Sequence, residues 1–430
     1  MTQLQDIKNP KRPRKATGRD SWYPYYAGFS EEFVSSAIGC LAEENDTTIL
    51  DPWNGSGTTT NQGNKLGYST TGFDLNPVMV IAAKAKILAP SELSSIRPLA
   101  KDILSKARTG RQSRFPDTEP LETWFYTSSA QSFRQIERSL QKLLVDPNQH
   151  ISLSNSASVN NLSSIACFFY VALFRTLRCL VSRFEASNPT WIKKPGLRSR
   201  LKTRQSSMLS VFLQEVNAMV DAANGEKPPF LHAPTAELLI GCSSALPVNN
   251  AVVDMVITSP PYCTRIDYAM ATLPELTLLG YQLDTDFDVL RRSLIGSSTV
   301  SKEQIPVNED WGINCNRFLE EVATHGSKAS ATYYYKNHIQ YFDGIFKSVG
   351  ELNRVIKPGG KCVIVVQDSY YKNIYNDLAQ TFTEMFCAYD MPLIYRNDFI
   401  SGVTMGGINQ HHKKYGTTSK PIESILCFEK

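Results

Sequence analysis

The chain has little that would mark a secreted, membrane-embedded or metal-binding protein. Its nine cysteines, scattered from Cys40 to Cys427, form no CxxC pair and no Cys/His cluster. That argues against a structural zinc and against a disulfide framework, and it predicts reduced, mostly buried thiols. No apolar run reads as long enough to span a bilayer, and the N-terminus lacks a segment of signal-peptide type. An intracellular, cytoplasmic protein without a metal is the expectation. His338, His411 and His412 have no nameable partner and are expected at the surface. A strong charge of one sign is missing too, since the net charge is only +4.

Charge distribution says more than the total. Lys8, Lys11, Arg12, Arg14, Lys15 and Arg19 precede any folded-looking sequence, so residues 1–20 read as a flexible basic arm. Lys193, Lys194, Arg198, Arg200, Lys202 and Arg204 form a second run without an acid. Such runs suit phosphate contact, and they suit a solvated tail and a solvated loop equally well. The 430 residues, 42% of them hydrophobic, suffice for two or three domains and a large core.

The first ordered stretch is aromatic, Trp22-Tyr23-Pro24-Tyr25-Tyr26. Ser30 then caps a helix whose apolar face is Phe33, Val34, Ile38 and Leu41. Thr47 to Asp51 reads as a short strand running into Pro52-Trp53-Asn54-Gly55-Ser56-Gly57-Thr58-Thr59. A strand that ends in an acid, then a glycine turn, then a helix start is a ligand-binding turn, because glycine lets backbone N–H groups approach a ligand. A second unit follows, with strand Ser69–Phe73, then Asp74 and Leu75-Asn76-Pro77. An acid about 20 residues beyond the first strand is placed to bind ribose hydroxyls.

After about residue 90 the alternation stops. Residues 100–235 read as a mainly helical insertion, with helices near 121–146, 160–186 and 205–224. Its basic loop, flanked by Trp191, is a possible nucleic-acid contact. The α/β pattern returns at Ala236–Ile240, followed by Gly241-Cys242-Ser243. An apolar run, Val252 to Ile257, then leads into Thr258-Ser259-Pro260-Pro261-Tyr262. Two prolines cannot continue a ladder, so the chain leaves the sheet at a strand's carboxyl end, where open α/β sheets bind ligands. Residues 265–335 read as loops and short helices. A helix near 336–356 is expected to stop at Lys357-Pro358-Gly359-Gly360, before a strand at 361–367, a helix near 374–388, and strands near 392–397 and 422–428. A basic loop holding Gly402 to Lys414 separates the last two.

These motifs resemble those of S-adenosylmethionine-dependent DNA amino-methyltransferases. Asp51 to Thr59 looks like their cofactor turn, Thr258 to Tyr262 like their catalytic motif, and Phe73 to Pro77 and Lys357 to Gly360 like secondary motifs. The resemblance implies a Rossmann-like methyltransferase sheet with helices on both faces over 21–99 and 236–430. It implies cofactor contacts from Tyr23, Asp51, Trp53, Gly55, Gly57, Thr58, Asp74, Asn76, Cys242 and Ser243. Where the family commonly carries an acid after the glycine of the third strand, this chain has Cys242-Ser243. The serine of the catalytic motif, where adenine-N6 enzymes usually carry Asp or Asn, leans towards cytosine-N4 methylation in a restriction-modification system.

The chemistry asked of Ser259, Pro260, Pro261 and Tyr262 follows from the amine. Its lone pair is delocalised into the base, so it must be localised and aimed at an electrophilic methyl group. Ser259 Oγ and the Pro260 carbonyl are expected to accept the two amino hydrogens, with Tyr262 stacked on a flipped-out base. Arg265, Lys193, Lys194 and Arg198 are candidate contacts to double-stranded DNA, and an ion pair between Asp267 and Arg265 is expected over a catalytic role for Asp267. A cognate restriction endonuclease is a functional partner on this reading. Adenine-N6 or RNA amino-methylation, and a non-catalytic DNA-binding scaffold, remain as rivals. A nicotinamide dehydrogenase is disfavoured because the full GxGxxG is absent.

Overall fold

The computed structural model describes residues 4–13, 15–23, 28–42, 46–110, 118–186, 191–224, 236–264, 266–301, 303–400 and 421–430. Its strands are β1 (Thr48–Asp51), β2 (Ser69–Asp74), β3 (Ala236–Ile240), β4 (Val253–Thr258), β5 (Ile356–Gln367), β6 (Ser369–Tyr371), β7 (Ile374–Asn376), β8 (Leu393–Ile400) and β9 (Ile422–Glu429). Among the described residues seven of them make one sheet in the order β3-β2-β1-β4-β5-β9-β8, while β6 and β7 form a separate hairpin. Pairing is parallel from β3 to β5, and β9 alone runs against both its neighbours. The chain winds outward from β1 to β3, then restarts on the other side at β4. The carboxyl ends of β1 and β4 therefore flank the crevice where such sheets bind ligands.

The sheet is covered on both faces because successive strand residues point opposite ways. Ile49, Met255, Ile257, Val363 and Val365 pack on one face beneath α1 (Glu31–Leu41). Leu50, Val256, Ile364 and Leu426 pack on the other. Strands buried on both sides read as near-continuous apolar runs, which is why β4 was legible. Two helices follow the first strands, α2 (Thr58–Lys65) and α3 (Pro77–Lys86). The helical layer comprises α4 (Leu93–Thr109), α5 (Thr127–Leu144), α6 (Ser156–Asn160), α7 (Ser164–Val181) and α8 (Gln205–Ala223). After β4 come α9 (Tyr268–Ala271), α10 (Leu273–Leu278), α11 (Asp286–Ser293), α12 (Ile313–Thr324), α13 (Tyr335–Val355) and finally α14 (Leu378–Cys387). The α/β class with a helical insertion is as expected.

Several details differ from the sequence reading. The helical layer begins at Leu93, ahead of residue 100, and shares one core with α3 and α10. Helix α7, with the turn after it, is long and apolar enough to cross a membrane by length and composition, contrary to expectation, but 67% of that stretch is buried in this core. Residues 4–13 and 15–21 are not a free arm. Ile7 is buried against the α1 core, the Ser30 N–H donates to the Pro10 carbonyl at 2.8 Å, and the buried Arg19 donates to the carbonyls of Lys86 and Leu88. The helix stops as expected, α13 ending at Val355, but β5 begins at Ile356 rather than at 361 and runs through Lys357–Gly360 with a register shift and a positive φ at Gly359. The helix expected from 374 starts only at Leu378, where the Asp377 carboxylate caps it. The hairpin, with Tyr370 facing Tyr375, takes the preceding residues.

Candidate active site

The sheet brings two strand ends together at the crevice, and a buried hydrogen bond joins them. Thr258, the last residue of β4, donates from Oγ1 to Asp51 Oδ1 at the end of β1, at 2.6 Å. Asp51 Oδ1 also accepts from the Trp53 N–H at 3.1 Å. At the end of β2, Asp74 accepts from the Gly55 N–H at 3.0 Å through one oxygen and from the Asn76 N–H at 2.8 Å through the other. The glycine turn is thereby strung between the two acids. Burial is the first cause that raises both carboxyls, Asp51 to about 6 and Asp74 to about 7. Neighbouring hydrogen bonds oppose this, and no cationic side chain among the described residues offsets it.

The turn has the shape its glycines permit. Gly57 begins α2 with φ +83, and a Cβ there would come within 2.8 Å of the Ala83 Cβ. A Cβ on Gly72 would strike the Asn54 side chain at 2.5 Å. Asn54 is fixed by its own N–H to the Phe73 carbonyl and by Thr60, whose hydroxyl donates to Asn54 Oδ1 at 3.0 Å. Close packing of β2, the turn and α3 therefore depends on small residues at two points.

The proline corner follows directly from β4. Ser259 donates from Oγ to the Val365 carbonyl on β5 at 3.0 Å. Its proton is thus engaged, and the oxygen offers lone pairs to anything in the cavity. Pro261 accepts at its carbonyl from the Tyr341 hydroxyl at 2.9 Å, which ties the corner to α13. Tyr262 donates its hydroxyl to Glu423 Oε1 on β9 at 3.2 Å. Burial, then the nearby Glu423 carboxylate, pushes the Tyr262 hydroxyl well up, so it stays protonated.

One cavity is lined by Asp51, Trp53, Gly55, Thr58, Asp74, Asn76, Cys242, Ser243, Ser259, Pro260, Pro261 and Tyr262. Twelve of the fourteen cofactor and catalytic candidates therefore share one wall. The exceptions are informative. Gly57 lies behind the turn, packed on α3. Tyr23 does not line this cavity: it is buried in the helical core, with its hydroxyl 3.1 Å from Glu275, while Gly28 and Phe29 of the same region do line it. An aromatic cluster signals a core as readily as a ligand wall, and Trp22 stacks edge-on with Phe168 in that same core. Asn76 serves the wall as a helix cap, accepting from the Val78 N–H, and it donates to Thr272. Ser243 lies 2.9 Å from Ser348, and Cys242 Sγ lies 3.1 Å from Ser244.

Sequence reasoning missed Tyr268, Thr272, Leu294 and Ile295, which complete the cavity from the mixed segment after the corner. Asp267 pairs with Arg291 at 2.6 Å and caps α9; Arg265, its expected partner, lies outside the described residues. His338 is not at the surface. It is buried on α13, its Nδ1 3.3 Å from Cys263 Sγ and its ring edge-on to Phe318. His411, His412 and the loop from 401 to 420 lie outside the described residues. Lys193, Lys194 and Arg198 are exposed and do not line the cavity.

No family model matches the chain. Over 387 residues it is 24% identical to the type II methyltransferase M.BsoBI of Geobacillus stearothermophilus, which covers 82% of this chain and 74% of that protein. It is 23% identical over 370 residues to the type II methyltransferase M.MvaI of Kocuria varians, covering 81% of this chain and 76% of that one. Among solved structures, the rRNA methyltransferase aviRa from Streptomyces viridochromogenes spans 94% of this chain and 87% of its own, at 9% identity and a TM-score of 0.25, a likeness too slight to carry an argument.

Proposed function

We propose that this chain is an S-adenosylmethionine-dependent DNA methyltransferase acting on the exocyclic N4 amine of cytosine, as the modification half of a restriction-modification system. Its similarity to two type II methyltransferases supports the general activity. The observation that carries the reading is the Thr258–Asp51 hydrogen bond, because it couples the corner to the acids of one shared cavity.

The cavity fits the cofactor chemically. Two buried acids with raised pKa and no cationic partner among the described residues suit a ligand that brings its own positive charge. S-adenosylmethionine, when bound, supplies an ammonium group and a methyl group activated by a sulfonium centre. On this reading Asp74 holds the ribose hydroxyls with the lone pairs its two backbone N–H partners leave open. Asp51 attracts the ammonium end, and the N–H groups of the glycine turn approach the donor closely.

The corner then acts on the amine. Ser259 Oγ accepts one amino hydrogen, since its own proton is engaged with Val365. The Pro260 carbonyl accepts the other. Two acceptors fixed by a rigid corner favour a pyramidal nitrogen with a directed lone pair, and they help most as positive charge develops there. Tyr262, anchored through Glu423, presents its ring to a base that has left the duplex. The product proton leaves to water. Double-stranded DNA is the substrate on this reading, with Lys193, Lys194, Arg198 and Arg265 as candidate backbone contacts and the cytoplasm as the place of action.

Ser259→Ala tests the corner. Loss of one preorganised partner is expected to cost on the order of 100-fold in turnover, with cofactor affinity within about twofold of wild type. An alanine variant with full turnover overturns the assignment.

A further inference from the structure

Basic residues of the N-terminal segment pair with groups close to the cavity. Lys86, the last residue of α3, is completely buried. Its ammonium lies 2.8 Å from Asp20 Oδ1 and donates to Ser56 Oγ at 3.3 Å. Ser56 belongs to the glycine turn and lines the cavity. Arg12 pairs with the other oxygen of the same aspartate at 3.6 Å. It also lies behind Gly28 of the cavity wall, where a Cβ would come within 3.9 Å of a guanidinium nitrogen. Lys65 and Glu31 form the adjoining ion pair at 2.9 Å. With the buried Arg19, which donates to the Lys86 carbonyl, the cations of this cluster (Lys86, Arg12, Arg19, Lys65) outnumber its acids, Asp20 and Glu31.

A buried lysine is costly to desolvate, so its placement asks for a reason. Structure alone supplies part of one, since Asp20 pairs with it. It does not account for a second contact that points at the cavity wall. Because Lys86 donates to Ser56 Oγ, the serine proton is turned away from the lysine, and an anion in the cavity can accept it. An acid at the opposite role is already present: Asp51 and Asp74 suit cationic and hydroxyl groups, and neither suits a carboxylate.

We infer that Lys86, held by Asp20, which Arg12 of the same N-terminal segment also pairs, is a positioning residue that acts through Ser56 to receive the carboxylate of the methyl donor's amino-acid end. This rests on the cofactor reading above. Arg12, Arg19 and Asp20 of the N-terminal segment then serve the cofactor site through their contacts with the end of α3 and each other, and the segment's basic character reflects that pairing in part.

Calorimetry on the full chain with two ligands tests it: S-adenosylmethionine, and its decarboxylated form, which keeps the sulfonium, the ammonium and the nucleoside. Lys86→Met is expected to weaken S-adenosylmethionine at least tenfold and to leave the decarboxylated ligand within twofold. Arg12→Gln, a milder change at a half-buried site, is expected to move the same ratio in the same direction by about threefold, and it decides the matter if Lys86→Met does not fold. Equal losses on both ligands, or no loss on either, overturn the inference and leave the cofactor reading intact. A wild-type chain that binds neither ligand overturns the cofactor reading, and the inference with it.

Discussion

Thr258→Val removes one hydroxyl from the contact that joins the two halves of the proposed site. The side chain is fully buried, and its oxygen lies 2.6 Å from Asp51 Oδ1. Valine fills nearly the same space, so the change isolates the hydrogen bond. A hydrogen bond to a charged group contributes about 1.5–3 kcal/mol, and the carboxylate keeps its Trp53 N–H partner. The expected loss of unfolding free energy at pH 8 is therefore about 2 kcal/mol. The bond also favours the ionised form of Asp51, whose carboxyl already sits at about 6. Without it the carboxyl rises further, and a smaller fraction is charged near neutrality. Urea denaturation at pH 8 and pH 5 reads the first effect, and the loss should be smaller at pH 5, where Asp51 is protonated in both proteins. Calorimetry at pH 7 reads the second as weaker S-adenosylmethionine binding. An equal loss at both pH values, or none at pH 8, refutes the claim that an ionised Asp51 is held by Thr258.

Other outcomes follow from the same geometry. Asp51 and Asp74 sit above their unfolded value of 3.8, at about 6 and 7, so the folded chain holds extra protons between about pH 4 and 7. Their contribution to stability declines as pH rises through that window. A cationic ligand reverses the preference, so S-adenosylmethionine affinity should climb from pH 5 to pH 8 with proton release; calorimetry in two buffers of different ionisation enthalpy measures it, and a flat profile contradicts it. Gly57→Ala should cost about 1–2 kcal/mol for the left-handed backbone and about 1–3 kcal/mol for overpacking against Ala83, seen as a lower urea midpoint; an unchanged midpoint would show that the turn relaxes freely. Arg134→Met should cost about 3–5 kcal/mol, because Glu119 and Glu137, both buried, lose their guanidinium partner. A loss below about 1 kcal/mol, within the range of an exposed pair, would show that the buried network is slack.

Much of the sheet could be read in advance because its strands are buried on both faces and end in residues that cannot continue a ladder. Asp51 and Asp74 were legible through strand–acid–turn spacing, and Ser259 to Tyr262 through two adjacent prolines. What failed had physical causes. Tyr23 sat in an aromatic run, and aromatics in a run fill a core as well as a ligand wall. Tyr268, Thr272, Leu294 and Ile295 lie in a mixed segment without periodicity, so only the tertiary fold brings them to the cavity. His338 had a long-range partner in Cys263, 75 residues away, that no spacing rule suggests. The segment 1–20 looked like a tail because its charges were counted without their partners. Lys86, Asp20 and Arg19 meet only once α3 is folded.

The central claim is that Ser259 and Pro260 hold the N4 amine of cytosine in line with a donated methyl group. Unmodified DNA incubated with the purified chain and S-adenosylmethionine, then digested to nucleosides and resolved by mass spectrometry, tests it directly. The account predicts N4-methylcytosine from the wild-type chain and a yield reduced on the order of 100-fold from Ser259→Ala. N6-methyladenine in its place, or no modified nucleoside at all, would contradict it.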